Sequence, residues 1–156
     1  MLNEIKLFNT WLIDLCENVR HGVMLNWLTQ VGEASHVGSS VMPHKINPWF
    51  FEVAQGTLEQ ANTLIDAAVP GLLCSVMERD LTDHPWERAY GEMLGKGLVA
   101  LNYLVNGLKT LRVNETAARQ DLAAAPEVLT EAVQVAGRML GVDNIYMTIK
   151  LLTRGR

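Results

Sequence analysis

The chain has 156 residues, enough for one domain with a hydrophobic core or for one domain and part of another. Apolar residues make up 49% and charged residues 19%, so we expect part of the apolar surface to contact other chains. The formal net charge of −4 argues against a nucleic-acid partner. The lack of a long apolar run and of a signal-peptide pattern predicts a soluble, cytoplasmic protein with no membrane partner. Cys16 and Cys74 lie far apart and the four histidines lack metal-ligand spacing, so neither a disulfide nor a metal is expected.

Two long amphipathic helices are predicted in the first half of the chain. In the first, apolar residues recur at steps of three and four from Leu2 to Val23. Residues 31–47 then interrupt the pattern. Asn47 has the position of an N-cap and Pro48 that of a first helical residue, so the second helix should run from there to about Pro70.

A third long helix and several short helices are predicted in the second half. Asp83 and Pro85 follow an irregular stretch and indicate the start of the third helix. Apolar residues along it alternate at four and three, the spacing of a seam between near-parallel helices: Leu94, Leu98, Leu101, Val105 and Leu108. Short helices are expected at about 114–123, about 126–140, and from Asp143 or Asn144 to about Thr153. No strand is predicted, so the fold class is all-α, with a boundary between residues 112 and 113.

The interruption at residues 31–47 contains an unusual polar run, GSSVMPHKINP, from Gly38 to Pro48. Gly38 allows the backbone to adopt positive φ and to turn its N–H groups inward. A helix N-terminus beside Lys45 favours anions. The loop is therefore suited to bind a carboxylate and to hold a serine against it. The alternative is an ordinary helix connection rich in turn-forming residues.

The same run resembles the signature of the fumarase/aspartase superfamily, which reads G-S-S-x-M-P-x-K-x-N-P. Within the superfamily, His44 before the lysine, RDLTD at 79–83 and LTRG at 152–155 are similar to adenylosuccinate lyases. The likeness runs over the whole chain, which is much shorter than a subunit of that family. The resemblance therefore implies a fragment that holds part of the central helical domain, 1–112, and the start of the C-terminal domain, 113–156.

The resemblance implies a β-elimination in which fumarate leaves adenylosuccinate, or the related succinylated carboxamide ribotide of purine biosynthesis. In that family the first signature serine removes the proton beside a carboxylate, a role that falls here on Ser39. Lys45, inward N–H groups and exclusion of water would stabilise the serine alkoxide, and Lys45 would also stabilise the aci-carboxylate. No cofactor is expected. Residues of the loop would hold the succinyl carboxylates: Ser40, Met42, Lys45 and Asn47.

Three residues further along the chain would contact the nucleotide. Arg79 and Arg88 match two arginines of the family, and His84 stands where a phosphate-binding serine is often found. The alternative for Arg88 is an ion pair with Glu92, four residues later on the same helix. Val53 also departs from the family, since some relatives have a substrate-contacting asparagine there.

The resemblance also implies that other protein segments must complete the active site. The general acid of the family is a histidine of an earlier segment that has no match here, and we do not expect His21, His36 or His44 to replace it. The family's active sites are assembled from several subunits of a homotetramer, so we expect a multi-subunit helical bundle and no activity from this chain alone. Two alternatives stay open: a superfamily enzyme of the argininosuccinate lyase or carboxymuconate cycloisomerase type, and a non-catalytic helical assembly module.

Overall fold

The computed structural model describes residues 1–31, 47–77 and 79–154, and most of these are helical. The predicted all-α fold class is confirmed. The chain divides into two compact units: unit 1, Met1–Val113, and unit 2, Asn114–Arg156. The assignment of residues 1–112 and 113–156 to two partial domains of a longer protein stays a prediction. Within the described residues, no helix has the length and apolar character needed to cross a membrane.

Unit 1 contains three long helices and one short helix. They are α1, Leu2–Met24; α2, Trp49–Leu73; α3, His84–Arg88; and α4, Tyr90–Thr110. α2 packs against both α1 and α4, so it is the central helix of the unit. The core follows from this arrangement, because one face of α2 meets α1 and another meets α4.

The larger core cluster of unit 1 lies where its three long helices meet: Cys16, Val19, Phe51, Ala54, Leu58, Ala100 and Leu104. Gly107 of α4 permits this packing, because a Cβ atom there would lie 2.9 Å from the Phe51 ring. A second cluster contains Ile65 and Ala68, further along α2, and Met93 of α4. Trp86 of α3 belongs to that cluster and packs against Gly71. The second cluster therefore holds α3 beside the C-terminal end of α2.

Unit 1 also contains a two-stranded antiparallel ribbon, so the expectation of no strand is wrong. β1, Leu28–Gln30, pairs with β2, Leu111–Val113, with Leu28 opposite Val113. The Val31 N–H extends the pairing by donating to the Thr110 carbonyl oxygen at 2.9 Å. Strands of three residues are too short to show a two-residue period in the sequence. Their pairing arises because α1 and α4 bring distant segments together.

Unit 2 consists of short helices, as the sequence predicts. They are α5, Glu115–Ala124; a 3₁₀ helix, Pro126–Leu129; α6, Thr130–Met139; and α7, Ile145–Thr153. The Asn114 side chain caps α5 by accepting a hydrogen bond from the Ala117 N–H at 3.3 Å. Asn144 precedes α7 with a φ of 53°, a left-handed conformation that asparagine tolerates.

Two predicted helix ends in unit 1 differ from the observed ones, and one predicted helix is divided in two. Pro48, not Asn47, is the N-cap of α2, and α2 continues through Pro70 to Leu73. The predicted third helix is interrupted at Ala89, which divides it into α3 and α4. Asp83 precedes α3, but its carboxylate accepts a hydrogen bond from Arg79 rather than capping the helix. At Asp83, a side-chain hydrogen bond within the loop therefore replaces the capping bond that the sequence predicts.

The predicted seam of α4 lies on the surface of unit 1. Four of its five residues, Leu94, Leu98, Val105 and Leu108, are between 43% and 64% exposed, and the fifth, Leu101, is half-buried. The other face of α4 enters the core instead, through residues that are small or buried: Met93, Ala100, Leu104 and Gly107. α4 therefore has two apolar faces, and unit 1 covers one of them.

Candidate functional site

Half of the predicted site residues lie outside the described residues: Ser39, Ser40, Met42 and Lys45. The other four are described and fall at opposite ends of α2. Asn47 comes just before α2, whereas Arg79, His84 and Arg88 come after it. A helix of 25 residues is about 37 Å long. Since α3 packs beside the C-terminal end of α2, a single chain keeps Asn47 far from the other three.

Asn47 is half-buried and lines a cleft of about 510 Å³ at the N-terminal end of α2. The last turns of α1 form one wall, with Glu17, Arg20 and His21, and Glu52 of α2 forms another. The cleft therefore contains side chains of both charges beside the amide of Asn47. Such a lining can donate hydrogen bonds to a polar ligand and accept hydrogen bonds from it.

A polar network ties α1 to the first turns of α2 beside this cleft. Arg20 Nη1 donates to Gln55 Oε1 at 2.8 Å, and Arg20 Nε lies 3.9 Å from Glu52 Oε1. Gln55 Nε2 in turn donates to Glu17 and Glu59, at 3.1 Å and 3.0 Å. Sequence reasoning assigned none of these residues to the site. The sequence feature that could have identified them is the spacing of Glu52, Gln55 and Glu59, which places three polar side chains on one face of α2.

Aromatic packing fixes the start of α2 from the opposite side. The rings of Trp49 and Phe50 stack with centroids 4.1 Å apart, and Tyr103 of α4 meets Trp49 edge-on at 5.7 Å. Offset and edge-on arrangements are the favourable geometries for aromatic pairs. Together with the polar network, this packing holds the backbone that immediately follows Asn47.

Arg79 lies in the loop between α2 and α3 and is bonded to that loop. Its Nη1 atom donates to the Asp80 carbonyl oxygen at 2.9 Å and to Asp83 Oδ2 at 2.8 Å. This hydrogen bond from Arg79 is the main reason that the pKa of Asp83 lies below its ordinary value. Asp83 is therefore a carboxylate at neutral pH, and Arg79 is its cationic partner.

Asp80 organises the same loop through its side chain. Its Oδ2 accepts from the Val76 N–H at 2.7 Å, and its Oδ1 accepts from the Thr82 hydroxyl and N–H at 2.7 Å and 3.1 Å. The bond from the Thr82 hydroxyl is the largest cause of a lowered pKa for Asp80, because these bonds favour the charged form. Sequence reasoning assigned no role at the site to the two aspartates of RDLTD. The structure shows that Asp80 accepts bonds from Val76 and Thr82 and that Asp83 accepts one from Arg79.

His84 and Arg88 begin and end α3, and both are exposed. The alternative considered for Arg88, an ion pair with Glu92, is not observed. Glu92 instead lies 3.5 Å from Lys96 Nζ. In the described ranges, no cluster of His, Cys, Asp and Glu is arranged to hold a metal ion.

Comparison with known proteins gives this chain a family. Residues 75–156 match the family described as "Adenylosuccinate lyase C-terminal", which is more than half of the chain. The chain belongs to the adenylosuccinate lyase C-terminal family. The matched segment includes the Arg79 loop, α3, α4 and all of unit 2.

Proteins named adenylosuccinate lyase extend the similarity over almost the whole chain. The adenylosuccinate lyase of Dictyostelium discoideum is 36% identical over 154 residues, 99% of this chain. That of Escherichia coli K12 is 37% identical over 149 residues, 96% of this chain. That of Buchnera aphidicola from Baizongia pistaciae is 35% identical over 148 residues, 95% of this chain. The aligned residues are 32–33% of each relative, so this chain spans about a third of their length.

Proposed function

We propose that this chain supplies part of the active site of an adenylosuccinate lyase of purine biosynthesis. The reaction eliminates fumarate from adenylosuccinate and from the related succinylated carboxamide ribotide. The proposal is carried by the similarity to proteins named adenylosuccinate lyase over at least 95% of the chain, including GSSVMPHKINP. These names favour it over the argininosuccinate lyase and carboxymuconate cycloisomerase types. The cytoplasmic location stays a prediction.

In this proposal each end of α2 serves a different part of the substrate. Ser39 removes the proton beside a succinyl carboxylate, and Lys45 stabilises the negative charge that develops. Ser40, Met42 and Asn47 hold the succinyl carboxylates. At the other end of α2, the nucleotide is bound by residues of the following loop and of α3: Arg79, His84 and Arg88.

We also propose that these two groups serve different active sites of a homotetramer. The length of α2, about 37 Å, supports this, because an adenylosuccinate molecule is much shorter than that. The exposed seam of α4 supports it as well. Its stripe of Leu94, Leu98, Val105 and Leu108 has the spacing of a helix packed against another helix. A partner chain that covers this stripe would bring a second α2 close enough to complete a site.

Co-assembly with a longer relative tests the proposal. The partner is full-length E. coli adenylosuccinate lyase in which the serine matching Ser39 is replaced by alanine, so that it releases no fumarate by itself. We expect no lyase activity from the 156-residue chain alone, since loss of one positioned proton-transfer group typically costs about 10²–10⁴-fold. Mixed with the inactive partner, the chain should restore fumarate release, which ultraviolet absorbance can follow.

The matched control is the same mixture with Ser39→Ala in this chain. It should co-assemble to the same extent by sedimentation but restore no activity. Full rescue by the Ser39→Ala chain would show that Ser39 is not the base. Co-assembly without rescue by the wild-type chain would contradict the lyase proposal and favour a non-catalytic assembly module.

A further inference from the structure

The loop between α2 and α3 bonds one side of the Arg79 guanidinium through the residues that the structure describes. A guanidinium has five N–H donors in one plane, two of them on Nη1. Both Nη1 hydrogens are directed into the loop, toward the Asp80 carbonyl oxygen and Asp83 Oδ2. Among the described residues, Nε and Nη2 of Arg79 have no hydrogen-bond partner. The Nε–Nη2 edge is the geometry that binds a carboxylate or phosphate through two parallel hydrogen bonds.

Asp83 is the less exposed partner of this pair. Its side chain is 22% exposed, whereas that of Arg79 is 58% exposed. The second oxygen, Oδ1, is buried, so the carboxylate cannot turn freely toward solvent. Asp83 also directly precedes α3, which the packing of Trp86 on Gly71 holds in place. The carboxylate therefore fixes the direction in which Arg79 points.

Asp80 provides the second fixed acceptor. Its side chain bonds Val76 and Thr82, and its own N–H donates to Ser75 Oγ at 3.4 Å. These bonds fold the loop so that the Asp80 carbonyl oxygen faces the same Nη1 atom as Asp83. Two acceptors on one nitrogen determine the orientation of the whole guanidinium plane.

The charges of this loop argue against simple attraction of an anion. One guanidinium lies beside two carboxylates, those of Asp80 and Asp83, so the local sum is negative. On charge alone, removal of Asp83 should strengthen the binding of an anion. If Asp83 instead orients Arg79, its removal should weaken the binding of an anion. The direction of the change in affinity therefore distinguishes the two roles.

We propose that Asp83 is a positioning residue that directs the Nε–Nη2 edge of Arg79 toward the phosphate of the nucleotide substrate. The proposal rests on the proposed function, because it requires Arg79 to meet a nucleotide. It assigns to the second aspartate of RDLTD a task distinct from that of Asp80, which folds the loop. Asp83 contacts Arg79 rather than the substrate.

Two substitutions that remove the same charge test this inference in a second co-assembly. Its partner is full-length E. coli adenylosuccinate lyase that keeps its serine but has alanine in place of the arginine matching Arg79. Sites with both the serine and the arginine then take the arginine, and Asp83 beside it, from this chain. Asp83→Ala removes both the charge and the acceptor, whereas Asp83→Asn removes the charge and keeps an oxygen acceptor. We expect Asp83→Ala to raise the KM for adenylosuccinate about tenfold, the equivalent of one charge-assisted hydrogen bond. The value of kcat should change less, and Asp83→Asn should lie between wild type and Asp83→Ala. Asp66→Asn, which breaks an exposed ion pair with Lys6 elsewhere in unit 1, is the control and should leave KM unchanged.

A double-mutant cycle separates positioning from a general structural effect. In an Arg79→Ala background, Asp83→Ala should change KM less than about twofold, because its effect passes through the missing guanidinium. An equal effect in both backgrounds would overturn the inference. In a chain that keeps Trp86 as its only tryptophan, fluorescence should be the same for Asp83→Asn and wild type, which would show that α3 stays packed.

The outcomes distinguish this inference from the proposed function. If the wild-type chain restores no fumarate release, the proposed function fails and the inference fails with it. If wild type restores activity but Asp83→Ala leaves KM unchanged or lowers it, only the inference is overturned. Lower KM in both Asp83 variants would show that the carboxylate acts by charge alone.

Discussion

The two units of this chain have nearly equal shares of apolar residues on their helices but bury them very differently. Unit 1 contains side chains that are almost completely buried, among them Phe51, Leu58, Ile65 and Met93. In the described part of unit 2, Gly137 is the only buried residue. Large apolar side chains of α6 and α7 stay exposed there, including Met139 at 84% and Leu151 at 80%.

This difference assigns most of the folding free energy of the chain to unit 1. Hydrophobic stabilisation follows the apolar area that is removed from water, about 25 cal/mol per Å². Unit 1 gains that area at the contacts of α2 with α1 and α4, whereas unit 2 gains little. Local terms such as helix caps must therefore carry a larger share of the stability of unit 2. Substitutions in the two units should therefore differ in their effect on stability.

The largest effect is expected from Phe51→Ala, which empties the centre of the larger core cluster. Phe51 is fully buried against Gly107, so its loss should lower the unfolding free energy of unit 1 by about 3–5 kcal/mol. The four tryptophans all lie in unit 1, at positions 11, 27, 49 and 86. Urea unfolding followed by tryptophan fluorescence therefore measures the stability of this unit alone.

Thiol labelling gives an independent measure of the same change. Cys16 belongs to the cluster of Phe51, and burial raises the pKa of its thiol to about 11, so it should react only when unit 1 opens. Cys74 is exposed and serves as the internal reference. Phe51→Ala should speed the labelling of Cys16 and leave that of Cys74 unchanged. Leu151→Ala in unit 2 is the control, followed by far-ultraviolet circular dichroism of the whole chain because neither probe lies in unit 2. A loss of stability as large as that of Phe51→Ala would refute the contrast.

Alanine substitutions at two glycines of α4 should change the stability of unit 1 less than Phe51→Ala does, and in opposite directions from each other. A Cβ at Gly107 would lie 2.9 Å from the Phe51 ring and 3.0 Å from Phe50 Cβ, so Gly107→Ala should destabilise unit 1 by about 1–3 kcal/mol. A Cβ at Gly95 would meet nothing within 4 Å, and Gly95→Ala should stabilise the helix by up to about 1 kcal/mol. Thermal unfolding of both variants, followed by tryptophan fluorescence, checks the signs. Equal shifts for both would mean that helix propensity, not packing, decides the result.

The sequence predicted those parts of the fold that depend on local periodicity. Apolar steps of three and four identified α1, α2 and α4, and the short helix expected at about 114–123 corresponds to α5. Periodicity shows that a helix has an apolar face but not which neighbour covers it. The seam of α4 was therefore recognised correctly as an apolar stripe, yet unit 1 packs the other face into its core.

The parts that sequence could not predict depend on contacts between distant residues. β1 and β2 are separated by 80 residues and have three residues each, so neither carries a pattern of its own. The network of Arg20 with Gln55 likewise joins two helices. At the site, a motif named Arg79 as a ligand-binding residue, but only the folded loop shows that Asp80 and Asp83 hold one side of its guanidinium.

The smallest effect is expected from Asn114→Ala, which removes the side-chain cap of α5 in unit 2. The lost hydrogen bond to the Ala117 N–H should cost about 1 kcal/mol. Because α5 has no buried residue among those described, little packing compensates, and amide exchange of residues 115–124 should rise about fivefold. Tryptophan fluorescence should report an unchanged unit 1. The control, Asn102→Ala, makes the same replacement at an exposed position inside α4, where alanine favours the helix and exchange should not rise. Faster exchange in α4 as well as α5 after Asn114→Ala would mean that the two units unfold together, and the contrast between them would then apply to packing but not to stability.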